Sequence, residues 1–269
     1  MGAAEIEVLS VVSADGTRIG CEVDGAGPPL LLVHGSTADR SRWAGVRDAL
    51  AARFTLHLMD RRGRGLSAGE APGPYSLARE AEDVAAVLAA IGPEAHVLAH
   101  TYGGTSLLAA VAGPGRARPA RLLVYEPAFG TPAGPVFPAA ALDAVEAAIA
   151  RDDPEAALET FFADVLLLGP DEIGAMRGTA AWRARVACAH TLAREAREAN
   201  AFSPAGGDAG APVRFLLGTE SAPPLIRSTR AAHLSVPGSS VRELPGQGHA
   251  AMDTAPELFV AEVAEWLSP

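Results

Sequence analysis

The stretch from residue 96 to residue 104 combines a short apolar strand pattern with a hydroxyl group at a sharp turn. The small residues Ala99 and Gly103 lie two positions before and two positions after Thr101, and a helix pattern follows. This spacing is typical of a nucleophile elbow, usually Gly-x-Ser-x-Gly, in which the tight turn tolerates only small flanking residues. Thr101 occupies the position of the nucleophile, and its γ-methyl group crowds the turn more than serine would.

Polar residues also follow two other apolar runs, and together with Thr101 they could form one site. The run at 30–33 ends at His34-Gly35-Ser36, and the last strand pattern is followed by Gln247-Gly248-His249. In open parallel sheets, functional groups collect outside the carboxyl ends of the strands. A nucleophile first, a histidine last and an acid between them is a chain order compatible with triad chemistry.

These strand ends belong to an alternation of strand and helix patterns. Besides the strand before Thr101, apolar runs predict strands at 6–12, 18–23, 30–33, 54–59, 122–125, 213–217 and 241–244. Helix patterns cover 76–91, the stretch from Thr101 to 112, and 256–267. Between 137 and 202 only helix patterns occur, at 142–150, 155–168 and 180–199. We expect an α/β fold with a doubly wound, mostly parallel sheet (1–135 and 204–269) and an inserted helical cap (136–203).

Four segments carry a family resemblance. They are Leu32-Val33-His34-Gly35, Asp60-x-Arg62-Gly63-x-Gly65-x-Ser67, the elbow around Thr101, and Gly246-Gln247-Gly248-His249. With these segments the chain resembles the α/β-hydrolase family, which includes esterases, haloalkane dehalogenases, cofactor-free haloperoxidases and hydroxynitrile lyases. The segments spread over nearly the whole chain outside the cap, and they specify the fold more closely than the reaction.

The resemblance implies a role for each matching residue. His249 is the general base that takes the hydroxyl proton of Thr101 and returns it to the leaving group. The backbone N–H of Tyr102 is one donor of the oxyanion hole, and that of Ser36 or Gly35 is the other.

The acid of the triad has two candidates. Many relatives carry an aspartate three residues past a glycine after the next-to-last strand, but Gly218-Thr219-Glu220-Ser221 has serine there and Glu220 one residue early. Glu126 ends the strand after the elbow helix, where haloalkane dehalogenases carry their acid. We favour Glu126 and keep Glu220 as the alternative. Asp253 is expected to cap the start of the last helix.

Other conspicuous side chains are assigned to the pocket or to the core. His34 is expected at the substrate pocket, where it shapes the oxyanion loop, and Trp182 and His190 of the cap are expected to line the same pocket. His96 and His100 lie four residues apart on one strand, which is about 13 Å and too far for two ligands of one zinc ion. We therefore expect no metal and no cofactor.

Composition narrows the partners. A net charge of −10 argues against nucleic acid, because phosphate binding requires a basic surface. Residues 1–7 lack the basic and apolar regions of a signal peptide, and no apolar run approaches the roughly 20 residues that span a bilayer. We expect a cytoplasmic protein without a membrane partner that acts on a small, largely apolar molecule; its oligomeric state stays open.

Threonine at the elbow leaves three hypotheses. The first is a hydrolase of esters, thioesters or lactones that uses Thr101 covalently. The second is a lyase, cyclase or dehydratase of a biosynthetic pathway, with Thr101 and His249 as acid–base groups. The third is a catalytically silent binding protein. The complete set of other hydrolytic parts favours the first.

Overall fold

The computed structural model describes residues 7–112 and 117–268, and within them eight strands form one sheet in the order β1-β2-β4-β3-β5-β6-β7-β8. The strands are β1 (Glu7–Val12), β2 (Arg18–Asp24), β3 (Pro29–Val33), β4 (Thr55–Met59), β5 (His96–His100), β6 (Arg121–Tyr125), β7 (Val213–Gly218) and β8 (Ser240–Leu244). The β1–β2 and β2–β4 pairs are antiparallel, and the other five pairs are parallel. The expected α/β class with a mostly parallel sheet is confirmed.

Helices cover both faces of this sheet. The helices are α1 (Arg47–Ala51), α2 (Leu77–Ile91), α3 (Tyr102–Ala112), α4 (Ala139–Ala150), α5 (Pro154–Thr160), α6 (Pro170–Met176), α7 (Ala180–Ala187), α8 (Leu192–Ala201), α9 (Pro223–Ser235), α10 (Ala251–Thr254) and α11 (Pro256–Leu267). The buried sides of α2, α3 and α9 share one apolar core with the sheet, and those of α1 and α11 share the other. Coverage on both faces explains why β3, β5 and β6 are runs of almost wholly buried residues.

The helices α4 to α8 lie between β6 and β7, and we call them the helical insertion. Their apolar sides form a third core that includes Phe161, Phe162 and Trp182. Two of the expected helices are interrupted. The pattern at 155–168 becomes α5 followed by a wider π-helical turn at Phe161–Val165, and the pattern at 180–199 divides into α7 and α8 around a 3-10 turn at Ala189–Thr191.

The helix α9 was not among the predicted helices, and its first turn contains Pro223 and Pro224. Proline in the first turn of a helix removes an N–H that has no acceptor within the helix, so it begins the helix rather than preventing it. Residues 1–6, on which the expected absence of a signal peptide and the start of the first strand depend, lie outside the described residues. None of the helices in residues 7–112 and 117–268 combines the length and the apolarity that a bilayer crossing requires.

Candidate active site

Two neighbouring strands end in residues with the same unusual backbone conformation. Thr101 follows β5 and Glu126 follows β6, and both have φ of 47°. The strands are parallel and His100 pairs with Tyr125, so Thr101 and Glu126 emerge side by side at the carboxyl edge. A positive φ is strained for residues with a β-carbon, and such strain concentrates at functional sites because the surrounding fold must hold it.

Glu126 is fully buried and forms a hydrogen bond with His249. The Nδ1–H of His249 donates to Oε2 of Glu126 over 2.5 Å. The other oxygen, Oε1, accepts from the backbone N–H of Gly218 at 2.7 Å and from the hydroxyl of Ser221 at 2.5 Å. Because the carboxylate can only accept, it fixes the proton on Nδ1 of His249 and leaves Nε2 available as a base.

The other acid candidate lies elsewhere. Glu220 is exposed at the surface, whereas Ser221, at the position where many relatives carry the acid, is buried and bonded to Glu126. The expectation for Asp253 was wrong: Ala255 precedes α11 without a side-chain cap, and Asp253 pairs with Arg42 at 2.5 Å. Asp253 lies within α10, two positions before Ala255, so it is not the residue that precedes α11.

His100 is a site residue whose role the sequence did not indicate. Its Nε2–H donates to the backbone carbonyl of His249 at 2.9 Å, and the two imidazole rings lie 4.4 Å apart between centroids. Burial, followed by the neighbouring His249, lowers the pKa of His100 well below 6.5. A neutral His100 therefore anchors the loop that carries His249. The sequence signal that could have identified His100 as a site residue is its position directly before Thr101.

The loop after β3 lies directly against the elbow. A β-carbon on Gly103 would come within 2.4 Å of the carbonyl oxygen of His34, and one on Gly35 within 1.7 Å of the γ-methyl group of Thr101. The loop and the elbow lie so close together that neither position has space for a side chain, and glycine is therefore required at both. Tyr102 begins α3, so its backbone N–H belongs to the first turn, whose N–H groups have no acceptor within the helix.

His34 stabilises this loop through hydrogen bonds of its buried ring. It is fully buried; its Nε2 accepts from the backbone N–H of Arg61 at 3.1 Å, and its Nδ1–H donates to the carbonyl of Gly35 at 2.8 Å. Burial, followed by the positive charge of Arg64, lowers the pKa of His34 well below 6.5. The neutral ring holds the backbone of Gly35 in place.

A buried ionic cluster joins the loop to the helical insertion. Ser36 donates its hydroxyl proton to Glu195 of α8 at 2.8 Å. Glu195 also contacts Arg61 at 3.1 Å and pairs with Arg64, and Arg61 pairs with Glu80 at 2.7 Å. Burial raises the pKa of Glu195, but the two arginines outweigh it and lower the pKa below 4.5. We call these five residues the Glu195 cluster.

Thr101 and His249 both line one cavity of about 180 Å³ between the sheet edge and the insertion. In the described part of the chain, no direct hydrogen bond joins their side chains. The remaining lining residues are Ser36, Thr37, Ala38, Arg42, His100, Phe137, Phe161, Phe162, Leu166, Leu168, Arg185, Ala250 and Asp253. The cavity has a polar floor formed by strand ends and an apolar roof formed by the insertion.

Three residues expected at the pocket lie outside that lining. His34 is buried under the loop that follows β3, and Trp182 packs against Phe162 with its Nε1–H bonded to Glu155 at 2.8 Å. His190 is exposed on the insertion. Across residues 7–112 and 117–268, no three histidine, cysteine or carboxylate side chains cluster as metal ligands would.

The family model of the alpha/beta hydrolase family matches residues 30–262. An alpha/beta hydrolase from Sphaerobacter thermophilus is 30% identical with a TM-score of 0.78, over 97% of this chain and 100% of that one. The esterase RhEst1 from Rhodococcus sp. is 31% identical with a TM-score of 0.74, over 97% of this chain and 98% of that one. The chain belongs to the alpha/beta hydrolase family, whose relatives include named hydrolases and esterases.

Curated sequences match over shorter stretches. A putative carbamate hydrolase, RutD, from Azorhizobium caulinodans is 42% identical over 99 residues, which is 36% of this chain and 37% of that protein. The chain thus spans little more than a third of that relative in the match.

Proposed function

We propose that the protein hydrolyses a small ester, thioester or lactone through Thr101, His249 and Glu126. The observation that carries this proposal is the bond from Nδ1 of His249 to buried Glu126, in a cavity that Thr101 and His249 both line. This arrangement supports Glu126 rather than exposed Glu220 as the acid, and it leaves Nε2 of His249 to act on the hydroxyl of Thr101.

The proposed reaction has two halves. Oγ1 of Thr101 attacks the acyl carbon while its proton passes to Nε2 of His249, and the carbonyl electrons move onto oxygen. The backbone N–H groups of Tyr102 and of Ser36 or Gly35 stabilise that oxyanion. The intermediate collapses to an acyl-threonine as His249 protonates the leaving group. Water, deprotonated by His249, then releases the acid and restores Thr101.

The contact between Thr101 and His249 is proposed to form with substrate bound. Catalytic hydrogen bonds are often long in unliganded enzymes and tighten in the reactive complex. Glu126 and His100 hold the ring and the backbone of His249, so the remaining adjustment falls on the threonine side chain.

One observation favours a second candidate, a lyase, cyclase or dehydratase. The γ-methyl group of Thr101 lies against Gly35, which belongs to the loop that would bind the oxyanion. A methyl group there narrows the space for a tetrahedral intermediate, whereas a hydroxyl that only moves a proton needs less room. Hydrolysis remains our proposal because the base, the acid and the loop are all in place.

Turnover of phenyl and thiophenyl esters by three forms of the protein tests the choice. We expect Thr101→Ala to lose activity by about 10⁴-fold or more, and Thr101→Ser to retain or increase it, because serine keeps the hydroxyl and removes the methyl. Retained turnover in Thr101→Ala would contradict covalent catalysis and favour the second candidate. Absence of turnover in all three forms, with native melting temperatures, would favour a silent binding protein.

A further inference from the structure

One wall of the reaction cavity carries charge although the rest of the roof is apolar. Arg42, Arg185 and Asp253 line the cavity together. Arg42 is paired with Asp253 at 2.5 Å. The pair is neutral in sum, so the positive charge that this wall presents to the cavity is that of Arg185.

Arg185, on α7, contacts two neutral side chains. Its guanidinium lies 5.5 Å from the ring centroid of Phe162, and its Nη1 lies 3.4 Å from the sulfur of Met176. Among residues 7–112 and 117–268, no carboxylate forms a salt bridge with it. Three arginines of the insertion have such partners: Arg177 with Glu159, Arg194 with Glu70, and Arg197 with Glu146. Arg183 of α7 also lacks a carboxylate partner, but it is exposed and donates to the backbone carbonyl of Gly178 at 2.7 Å, so what distinguishes Arg185 is its place in the cavity wall.

The environment of Arg185 is unfavourable for its positive charge. Burial, followed by the positive charge of Arg42, lowers the pKa of Arg185 from its usual value, and the opposing effect of the Asp253 and Asp39 carboxylates is smaller. A partly buried cation that is not directly paired with a carboxylate costs free energy that an incoming anion recovers. Because guanidinium presents a planar pair of donors, it matches a carboxylate in two parallel hydrogen bonds.

We propose that Arg185 binds a carboxylate of the substrate, so that the substrate class is an ester or thioester with an apolar body and one negative charge. This rests on the proposed function. A single charge fits because Asp253 neutralises Arg42 and repels a second anionic group. The apolar body contacts Phe161, Phe162 and Leu168, which line the same cavity. The carboxylate belongs either to the acyl group or to the leaving group.

Two matched ester pairs decide between these positions. Phenyl pentanoate and monophenyl glutarate differ by a carboxylate at the end of the acyl chain, and phenyl acetate and 4-acetoxybenzoate differ by one on the leaving group. We expect the wild-type protein to prefer the charged member of one pair by about 10- to 100-fold in kcat/KM, mainly through a lower KM. Arg185→Met should abolish that preference by lowering kcat/KM for the charged ester towards that of its neutral counterpart.

Arg183→Met is the matched control, since Arg183 is an exposed arginine on the same helix outside the cavity lining. It should keep the wild-type preference. Arg185→Lys should keep part of it, because lysine retains the charge and loses the planar pair of donors.

Binding provides a readout that does not depend on hydrolysis. By isothermal titration, 4-phenylbutyrate should bind wild-type protein and bind Arg185→Met at least tenfold more weakly, while 4-phenylbutanol should not distinguish them. Equal kcat/KM within both ester pairs, or equal 4-phenylbutyrate affinity of wild type and Arg185→Met, would overturn the inference about Arg185. Failure to hydrolyse any of the four esters, with carboxylate binding intact, would overturn the proposed hydrolysis and leave the anion site standing.

Discussion

The floor and the roof of the cavity are built on different principles. The floor consists of strand ends, where Thr101 and Glu126 have strained backbones and Gly35 packs against the elbow without space for a β-carbon. The roof consists of side chains of the helical insertion, such as Phe161 and Phe162, held by apolar packing. On the proposed function, the floor determines which atoms react, whereas the roof determines which molecule enters.

The Glu195 cluster is the point at which the two parts meet. It is buried, and through Ser36 it joins the insertion to the loop beside the nucleophile candidate. A change in the roof can thus reach the floor through defined hydrogen bonds. Substitutions in the floor and in the Glu195 cluster can distinguish the contribution of the floor from that of the junction with the roof.

The largest effect is expected for His249→Ala. Loss of the base should lower kcat on any hydrolysed ester by about 10⁵- to 10⁶-fold, because nucleophile and base act as one unit. His190→Ala is the comparison, since His190 is exposed on the insertion and outside the cavity lining. It should alter kcat by less than about twofold. Comparable losses in both variants, measured as steady-state kcat at equal folded fraction, would contradict the assignment of the base.

Glu126→Gln should lower kcat by about 10³- to 10⁴-fold, because an amide cannot stabilise the imidazolium of His249 as a carboxylate does. Glu220→Gln, the competing acid, should change kcat by less than about twofold. A larger loss in Glu220→Gln than in Glu126→Gln would reverse the assignment of the acid.

Glu195→Gln should reduce the free energy of unfolding by about 3 kcal/mol, because it leaves Arg61 and Arg64 buried without a full counter-charge. The matched change is Glu146→Gln, which removes an exposed partner of Arg197 and should cost less than about 1 kcal/mol. Urea denaturation measures both. Equal costs would show that the Glu195 cluster does not stabilise the junction of floor and roof.

The smallest effect is a coupling between two floor residues. Gly35→Ala should destabilise the wild-type protein by about 1–3 kcal/mol, because the new β-carbon overlaps the methyl group of Thr101. In a Thr101→Ser background the same change should cost about 1 kcal/mol less. Additive costs in the double-mutant cycle would exclude that contact.

The sequence predicts the floor well, for identifiable reasons. Buried parallel strands are continuous apolar runs, and the elbow requires small residues around Thr101. The positions of β3, β5 and the strand ends at the site can therefore be predicted from the sequence. The contact between Glu126 and His249 is harder to predict, because it requires β6 and β8 to end at the same edge of the sheet. From the sequence alone, Glu220 remained an alternative for the acid.

The roof is less predictable because packing overrides helical periodicity there. The pattern at 180–199 is divided by a 3-10 turn at Ala189–Thr191, where Thr191 donates to the carbonyl of Cys188 and accepts from Arg64. Trp182 was predicted to line the pocket, but an aromatic residue on a helix can also pack in the core, and Trp182 does so. The cavity-facing place of Arg185 likewise follows from tertiary contacts that no local pattern encodes.

Covalent capture of the Thr101 hydroxyl tests most directly whether this residue is the nucleophile. After exposure to an alkyl fluorophosphonate, intact-mass spectrometry should show one adduct, and peptide mapping should place it on Thr101. Thr101→Ala and His249→Ala should remain unlabelled, and Thr101→Ser should react faster. An unlabelled wild-type protein beside a labelled Thr101→Ser variant, or an adduct on another residue, would contradict threonine as the nucleophile.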